Sequence, residues 1–131
     1  MSWLIYWNKK NIWTDSDIWK KNTEIFYKKT FDIFNYNKKH TVLDIGCGNG
    51  GFITAFSENN CTCTGIEINN FNWEIKDSVE FLVGDITDSS FNKYISKKYH
   101  LIILRDVIEH IPLDNRTIFL ESVLSLKSKQ T

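Results

Sequence analysis

Nowhere in this 131-residue sequence is there a run approaching the ~18 consecutive apolar residues of a membrane-spanning helix. Its start, MSWLIYWNKK, also lacks the basic segment, long apolar stretch and small-residue cleavage site of a secretory leader. These two absences make a cytoplasmic protein with no membrane role the expectation. An excess of either charge is missing as well: lysine and arginine total 16, as do aspartate and glutamate. Overall charge therefore offers no drive toward nucleic acid or a membrane surface. The charge is unevenly spread, since residues 1–40 hold eight lysines against Asp15, Asp17, Glu24 and Asp32, so a basic N-terminal element on an acidic body is expected. Cysteine is also scarce. Cys47, Cys61 and Cys63 are odd in number, and the Cys-x-Cys pair lacks the spacing and second pair of a zinc site, which points to reduced, buried thiols. Internal repeats and low-complexity linkers are absent too, and the length suits one domain with one core.

What is present begins with a helical pattern from Asp15 to about Asn35, in which Trp19, Phe26 and Ile33 recur at sevens and Asp15 or Ser16 supplies the N-cap. Before it, Trp3, Tyr6, Trp7 and Trp13 crowd an irregular segment that either packs on the core or forms a lid over a ligand pocket. Beyond Lys39 strands alternate with helices. The expected strands are Thr41–Ile45, Cys61–Ile68, Val79–Val83 and Tyr99–Leu104. The expected helices are Phe52–Glu58, Ser89–Lys98 and a last one capped by Asp114 and carrying Phe119, Leu120, Val123 and Leu124. The fourth strand is too apolar to be exposed on either face, as in a parallel sheet covered on both sides. Such an order implies right-handed βαβ units, with ligands bound beyond the strand C-termini.

The chemistry is concentrated at the strand ends. After the first strand, Gly46, Gly48 and Gly51 satisfy G-x-G-x-x-G, and Glu67 stands 21 residues after Gly46, as a dinucleotide-binding acid would. Glycine is needed in such a turn so that the backbone can reverse sharply and a ligand can approach it closely. A nicotinamide or flavin site competes at this point. Asp44 begins to separate the readings: its charge would repel a pyrophosphate but suits a ligand with a positive charge there. Glu67, at the end of the second strand, can accept hydrogen bonds from both hydroxyls of a ribose in either case. Asp85 taken singly fits a strand-end turn as well as a site.

Asp44–Gly50 (DIGCGNG) resembles the D-x-G-x-G-x-G motif of class I, Rossmann-like S-adenosylmethionine-dependent methyltransferases, whose loop holds the methionine end of the cofactor. Phe81–Ile86 (FLVGDI) is similar to the segment of that class whose acid meets the adenine amino group while the next residue packs on the ring. Tyr99–Pro112 closely resembles its strand-four segment, where D-V-(I/L)-E-H borders the methyl-transfer site. Covering residues 42–112, the resemblance implies an α/β, three-layer Rossmann-like sandwich with a parallel sheet of order 3-2-1-4. It implies S-adenosyl-L-methionine as cofactor, bound by Asp44, Gly46, Cys47, Gly48, Glu67, Ile68, Asp85, Ile86 and Arg105. The implied organisation is an N-terminal helical segment or lid over residues 1–40 and a cofactor-binding methyltransferase domain over residues 41–131. Relatives carry further strands, and where they usually have a lysine-proline-glycine turn this chain has Ser125-Leu126-Lys127-Ser128. The acceptor-binding half is therefore expected to be missing, leaving strand four as an apolar edge open to self-association or a partner chain.

The implied reaction moves a methyl group to an oxygen or nitrogen nucleophile, chiefly by alignment and exclusion of water. His110 and Asp106 are the candidate catalytic residues, His110 as a base because imidazole titrates near pH ~6.5. The same histidine fits a backbone-bonding role at a helix start. Asp106, Glu109 and His110 also resemble the E-x-x-E-H metal motif of small-RNA terminal 2′-O-methyltransferases, but the later histidine used by that family is missing, so no metal is expected. A small-molecule or sugar acceptor is favoured over RNA. The rival classes are a non-catalytic cofactor-binding fragment, completed by a partner, and an NAD- or flavin-dependent oxidoreductase.

Overall fold

In the computed structural model, which describes residues 25, 29, 40–58, 61–73, 79–95 and 97–129, a near-continuous apolar run becomes the central strand. Val42, Leu43, Asp44 and Ile45 are all buried in β1 (Thr41–Ile45), as suits a parallel strand covered on both faces. The chain continues through α1 (Gly51–Ser57), β2 (Thr62–Glu67), β3 (Val79–Val83), α2 (Ser89–Tyr94) and β4 (Leu101–Ile103), then a 3-10 turn at Ile108–His110 and α3 (Leu113–Ser125). The sheet order is β3-β2-β1-β4 with every pair parallel, the expected Rossmann-like layout. The helix expected over residues 15–35 and the segment with Trp3, Tyr6, Trp7 and Trp13 lie outside the described residues, apart from Ile25 and Lys29, which are helical.

Successive side chains of a strand point to opposite faces, and this alternation sorts the core in two. Val42, Cys61 and Cys63 pack with Phe52, Ile53 and Phe56 of α1. Leu43, Ile45 and Ile66 pack on the other face with Tyr99 and with Phe119 and Val123 of α3. Each fully buried aliphatic side chain contributes about 1.5–3 kcal/mol. All three cysteines are free and buried, as expected, and burial pushes the Cys61 and Cys63 thiols up to about 11 and about 12.

Element ends depart from the sequence expectation. Asp88 caps α2 by accepting the Ser90 and Phe91 N–H groups at 2.8 and 3.3 Å, but the helix stops at Tyr94 and not at Lys98. Ile95 leaves it in an extended conformation and enters the core. Burying one isoleucine outweighs the few tenths of a kcal/mol of helix propensity in the residues that follow. Asp114 is not the cap of α3; Pro112 holds that position with no side-chain bond, and Asp114 lies in the first turn, where its charge complements the helix dipole. Of the four apolar residues expected in the last helix, Phe119 and Val123 are buried and Leu120 and Leu124 are exposed, while Leu126, just past the helix, is buried.

The fourth strand is shorter than expected because Tyr99 pairs elsewhere. Its N–H donates to the Leu126 carbonyl at 2.8 Å and its carbonyl accepts from Ser128 N–H at 2.7 Å, a parallel bridge centred on Lys127. The chain leaving α3 thus covers the start of that edge, while among the described residues Leu101–Ile103 pair with β1 alone. Among the described residues no helix is long and apolar enough to cross a membrane.

Candidate functional site

Ile45, Glu67, Val83 and Ile103 end their strands along one edge of the sheet, the edge at which a doubly wound sheet receives ligands. From Ile45 the chain turns over that edge. The Gly46 and Cys47 N–H groups both donate to the Ile66 carbonyl, at 2.8 and 3.1 Å, pinning the turn to β2. A methyl group added at Gly46 would begin 2.6 Å from Cγ2 of Val107, so the segment after β4 closes directly onto the turn. Gly48, at φ +56°, has open space where a side chain would start, and a ligand can reach its backbone.

Beneath the turn lies Asp44, 4% exposed, and among the described residues no hydrogen bond reaches its carboxylate. Burial pushes its pKa up to about 7, against the pull of the Arg105 guanidinium and with a further push from Glu67. A buried polar group without a hydrogen bond costs about 1–3 kcal/mol, more if charged, and the Arg105 guanidinium offsets only part of that cost at Asp44. Such groups concentrate at functional sites. Glu67 is half-buried, and one of its oxygens accepts Asn69 N–H at 3.1 Å; Ile68 beside it is half-buried as well. The Arg105 guanidinium lies 4.5 Å over the Phe52 ring. Burial lowers its pKa while Asp106 and Asp44 hold it up. The Cys47 thiol, 3.8 Å from the Gly48 carbonyl oxygen, is driven far up by burial and then by Asp44 and Glu67, so it stays neutral. Asp44, Cys47, Glu67 and Arg105 therefore form one electrostatic group around the glycine turn.

The remaining expected site residues have other surroundings. Asp85 is exposed, and its Oδ1 accepts both the N–H and the hydroxyl of Thr87, at 2.9 and 2.7 Å, the geometry of a turn residue. Ile86 is 3% exposed and packs within the core. Asp106 is exposed at φ +54°. His110 closes the 3-10 turn, its N–H bonded to the Val107 carbonyl at 3.0 Å and its Nε2 3.3 Å from Oε1 of Glu109. Among the described residues no group of three or more His, Cys, Asp or Glu side chains is arranged to hold a metal, the Asp106, Glu109 and His110 set included.

Sequence reasoning missed Trp73 and Phe81. The Trp73 ring stacks on Phe81 with centroids 4.8 Å apart, and its Nε1–H donates to the Gly48 carbonyl at 2.8 Å. The one sequence signal was an indole in the asparagine-rich connection after β2, which holds Asn69, Asn70 and Asn72.

A family model described as a methyltransferase domain matches residues 19–129. A search of curated proteins found no match. Among solved structures, the 1,6-didemethyltoxoflavin-N1-methyltransferase of Burkholderia thailandensis, with bound 1,6-didemethyltoxoflavin and S-adenosylhomocysteine, is 15% identical with a TM-score of 0.68, over 93% of this chain and 52% of that one. The magnesium protoporphyrin IX methyltransferase of Synechocystis PCC 6803, with bound SAM, is 17% identical with a TM-score of 0.65, over 91% of this chain and 64% of that one. A SAM-dependent methyltransferase from Archaeoglobus fulgidus is 20% identical with a TM-score of 0.64, over 94% and 53%. The chain thus spans 52–64% of the length of these structures, and at such identities the likeness is one of fold. With most of its length matched by the family model, and a parallel sheet in the order expected of a Rossmann-like fold, the chain belongs to the methyltransferase domain family.

Proposed function

We propose that the chain binds S-adenosyl-L-methionine across this edge of the sheet and serves transfer of its methyl group to an oxygen or nitrogen nucleophile of a small molecule or sugar. The observation that carries the reading is Asp44, a buried carboxylate without a hydrogen bond among the described residues, at the foot of a glycine turn whose Gly48 is open to a ligand. A cation is the natural partner for such a group, and the cofactor carries an ammonium and a sulfonium. A pyrophosphate would meet like charge there, which weighs against a nicotinamide or flavin. The second oxygen of Glu67 suits ribose hydroxyls, and Asp85 suits an adenine amino group in exchange for its bonds to Thr87. Ile68, Cys47 and the small exposed margin of Ile86 would border the ligand. Arg105 offsets only part of the cost of ionising Asp44, which leaves the remainder to a bound cation.

When bound, the cofactor supplies a methyl group already activated toward displacement. The contribution of the chain is to align the acceptor and exclude water. His110, whose Nε2 lies 3.3 Å from Oε1 of Glu109, takes the proton of an acceptor that must lose one. Asp106 orders the acceptor on the same segment. The small-molecule reading is supported by the 1,6-didemethyltoxoflavin bound to the Burkholderia relative. The test is isothermal titration of S-adenosylmethionine and, separately, NADH into the chain, repeated with Glu67→Ala. The expected result is uptake of the methyl donor alone, weakened about ten-fold by the substitution, which equals the loss of one charged hydrogen bond. Uptake of NADH, or of neither ligand, would overturn the proposal.

A further inference from the structure

We propose that Trp73 is a positioning residue that holds the glycine turn in its ligand-receiving shape, an inference that rests on the cofactor reading above. The hydrogen bond from its indole Nε1–H to the Gly48 carbonyl, at 2.8 Å, crosses 25 residues of chain. Apart from it, that carbonyl receives only the weak contact of the Cys47 thiol at 3.8 Å among the described residues. The indole is braced by Phe81, on which it lies nearly parallel, with an interplanar angle of 4°. Phe81 belongs to β3 and stands opposite Gly65 of β2, so the brace is anchored in the sheet. Both rings also close on Gly50, where a methyl group would begin 2.6 Å from Phe81 and 3.4 Å from Cδ1 of Trp73.

This arrangement has a purpose in a turn with three glycines at positive φ, Gly46, Gly48 and Gly50. Glycine reaches many shapes at little cost, and a ligand that fits one of them loses affinity in proportion to the time spent in the others. Val107 holds the Gly46 end by contact, and Trp73 holds the Gly48–Gly50 end by a directed bond. The indole is half-buried, so it acts as a strap over the turn and not as part of the closed core.

The experiment compares wild type, Trp73→Phe, which keeps a ring on Phe81 but removes the donor, and Val123→Ala, a core substitution in α3. For each, urea unfolding is measured together with calorimetric binding of S-adenosylhomocysteine. Trp73→Phe is expected to bind about three- to ten-fold more weakly, the worth of one hydrogen bond, while Val123→Ala loses stability and keeps its affinity. In wild type, the Trp73 indole N–H resonance should exchange slowly with solvent and shift when ligand binds, a readout that needs no variant. Wild type that takes up no S-adenosylhomocysteine overturns the cofactor reading and this role with it. Normal binding by Trp73→Phe, equal weakening in Val123→Ala, or a fast-exchanging, unshifted indole resonance overturns the strap alone.

Discussion

Replacing Asp44 with asparagine should stabilise the ligand-free chain while weakening its hold on the cofactor. In the folded chain the carboxyl ionises near pH 7, against an ordinary value of 3.8. At about 1.36 kcal/mol per unit, the ionised form costs the fold on the order of 4 kcal/mol at pH 8. That is a large share of the roughly 5–15 kcal/mol that holds a domain together. Between these two values the folded chain keeps a proton that the unfolded chain has released, so stability falls as pH rises across that window and levels off above it. Asparagine fills the same volume with a neutral amide and removes the slope. The attraction to Arg105 is already contained in the folded value of about 7, so what offsets the gain is the burial of the asparagine amide without a hydrogen bond, about 1–2 kcal/mol. The net gain at pH 8 is therefore about 2–3 kcal/mol. Urea unfolding of both proteins, followed by circular dichroism, should show the gap between them widening by roughly 2 kcal/mol or more from pH 5 to pH 8. A gap that stays the same at both pH values, or an asparagine variant less stable at pH 8, would refute the reasoning.

Alanine at Gly48 and at Gly46 should fail in different ways. At Gly48 a methyl points into open space at φ +56°, so cofactor binding drops while stability falls by only about 1–2 kcal/mol; at Gly46 the collision with Val107 adds to the loss, and thermal unfolding should separate the two. Tyr99→Phe removes a buried hydroxyl bonded to Thr64 at 3.0 Å, which should cost about 1–2 kcal/mol in urea unfolding and leave S-adenosylhomocysteine affinity unchanged, because this bond lies in the core away from the turn. His110→Ala should lower turnover by about 100-fold or more with an acceptor that must lose a proton, without changing cofactor affinity; equal turnover would reduce His110 to its contacts within the 3-10 turn.

The strand ladder was legible because parallel strands covered by helices read as apolar runs, fully so at β1, where Val42–Ile45 are buried, and less so at β4, where Ile103 is buried but Leu101 and Ile102 are only half-buried. Asp44 was legible from its place two residues before the first glycine, where a carboxylate would repel a pyrophosphate but suits a cation. Element ends were harder to read because tertiary burial decides them. Ile95 abandons a helix that propensity would continue, and Leu126, beyond the last helix, is buried while Leu124 within it is exposed. The pairing of Tyr99 with the chain leaving α3 depends on where that helix stops, which no local pattern encodes. Trp73 was invisible for a related reason. Its partners are 25 residues back at Gly48 and on the neighbouring strand at Phe81, so its role exists only once β2 and β3 are side by side.

The most direct test follows the Asp44 carboxyl itself. Carbon NMR of the aspartate-labelled chain, with the Asp44 resonance assigned by its loss in Asp44→Asn, follows this one group through neutral pH with and without saturating S-adenosylmethionine. The expected midpoint is near 7 in the free chain and lower by about a unit or more with the ligand bound, because an adjacent cation favours the charged form. A midpoint that the ligand leaves unchanged, or raises, would contradict the claim that Asp44 is there to receive the cofactor.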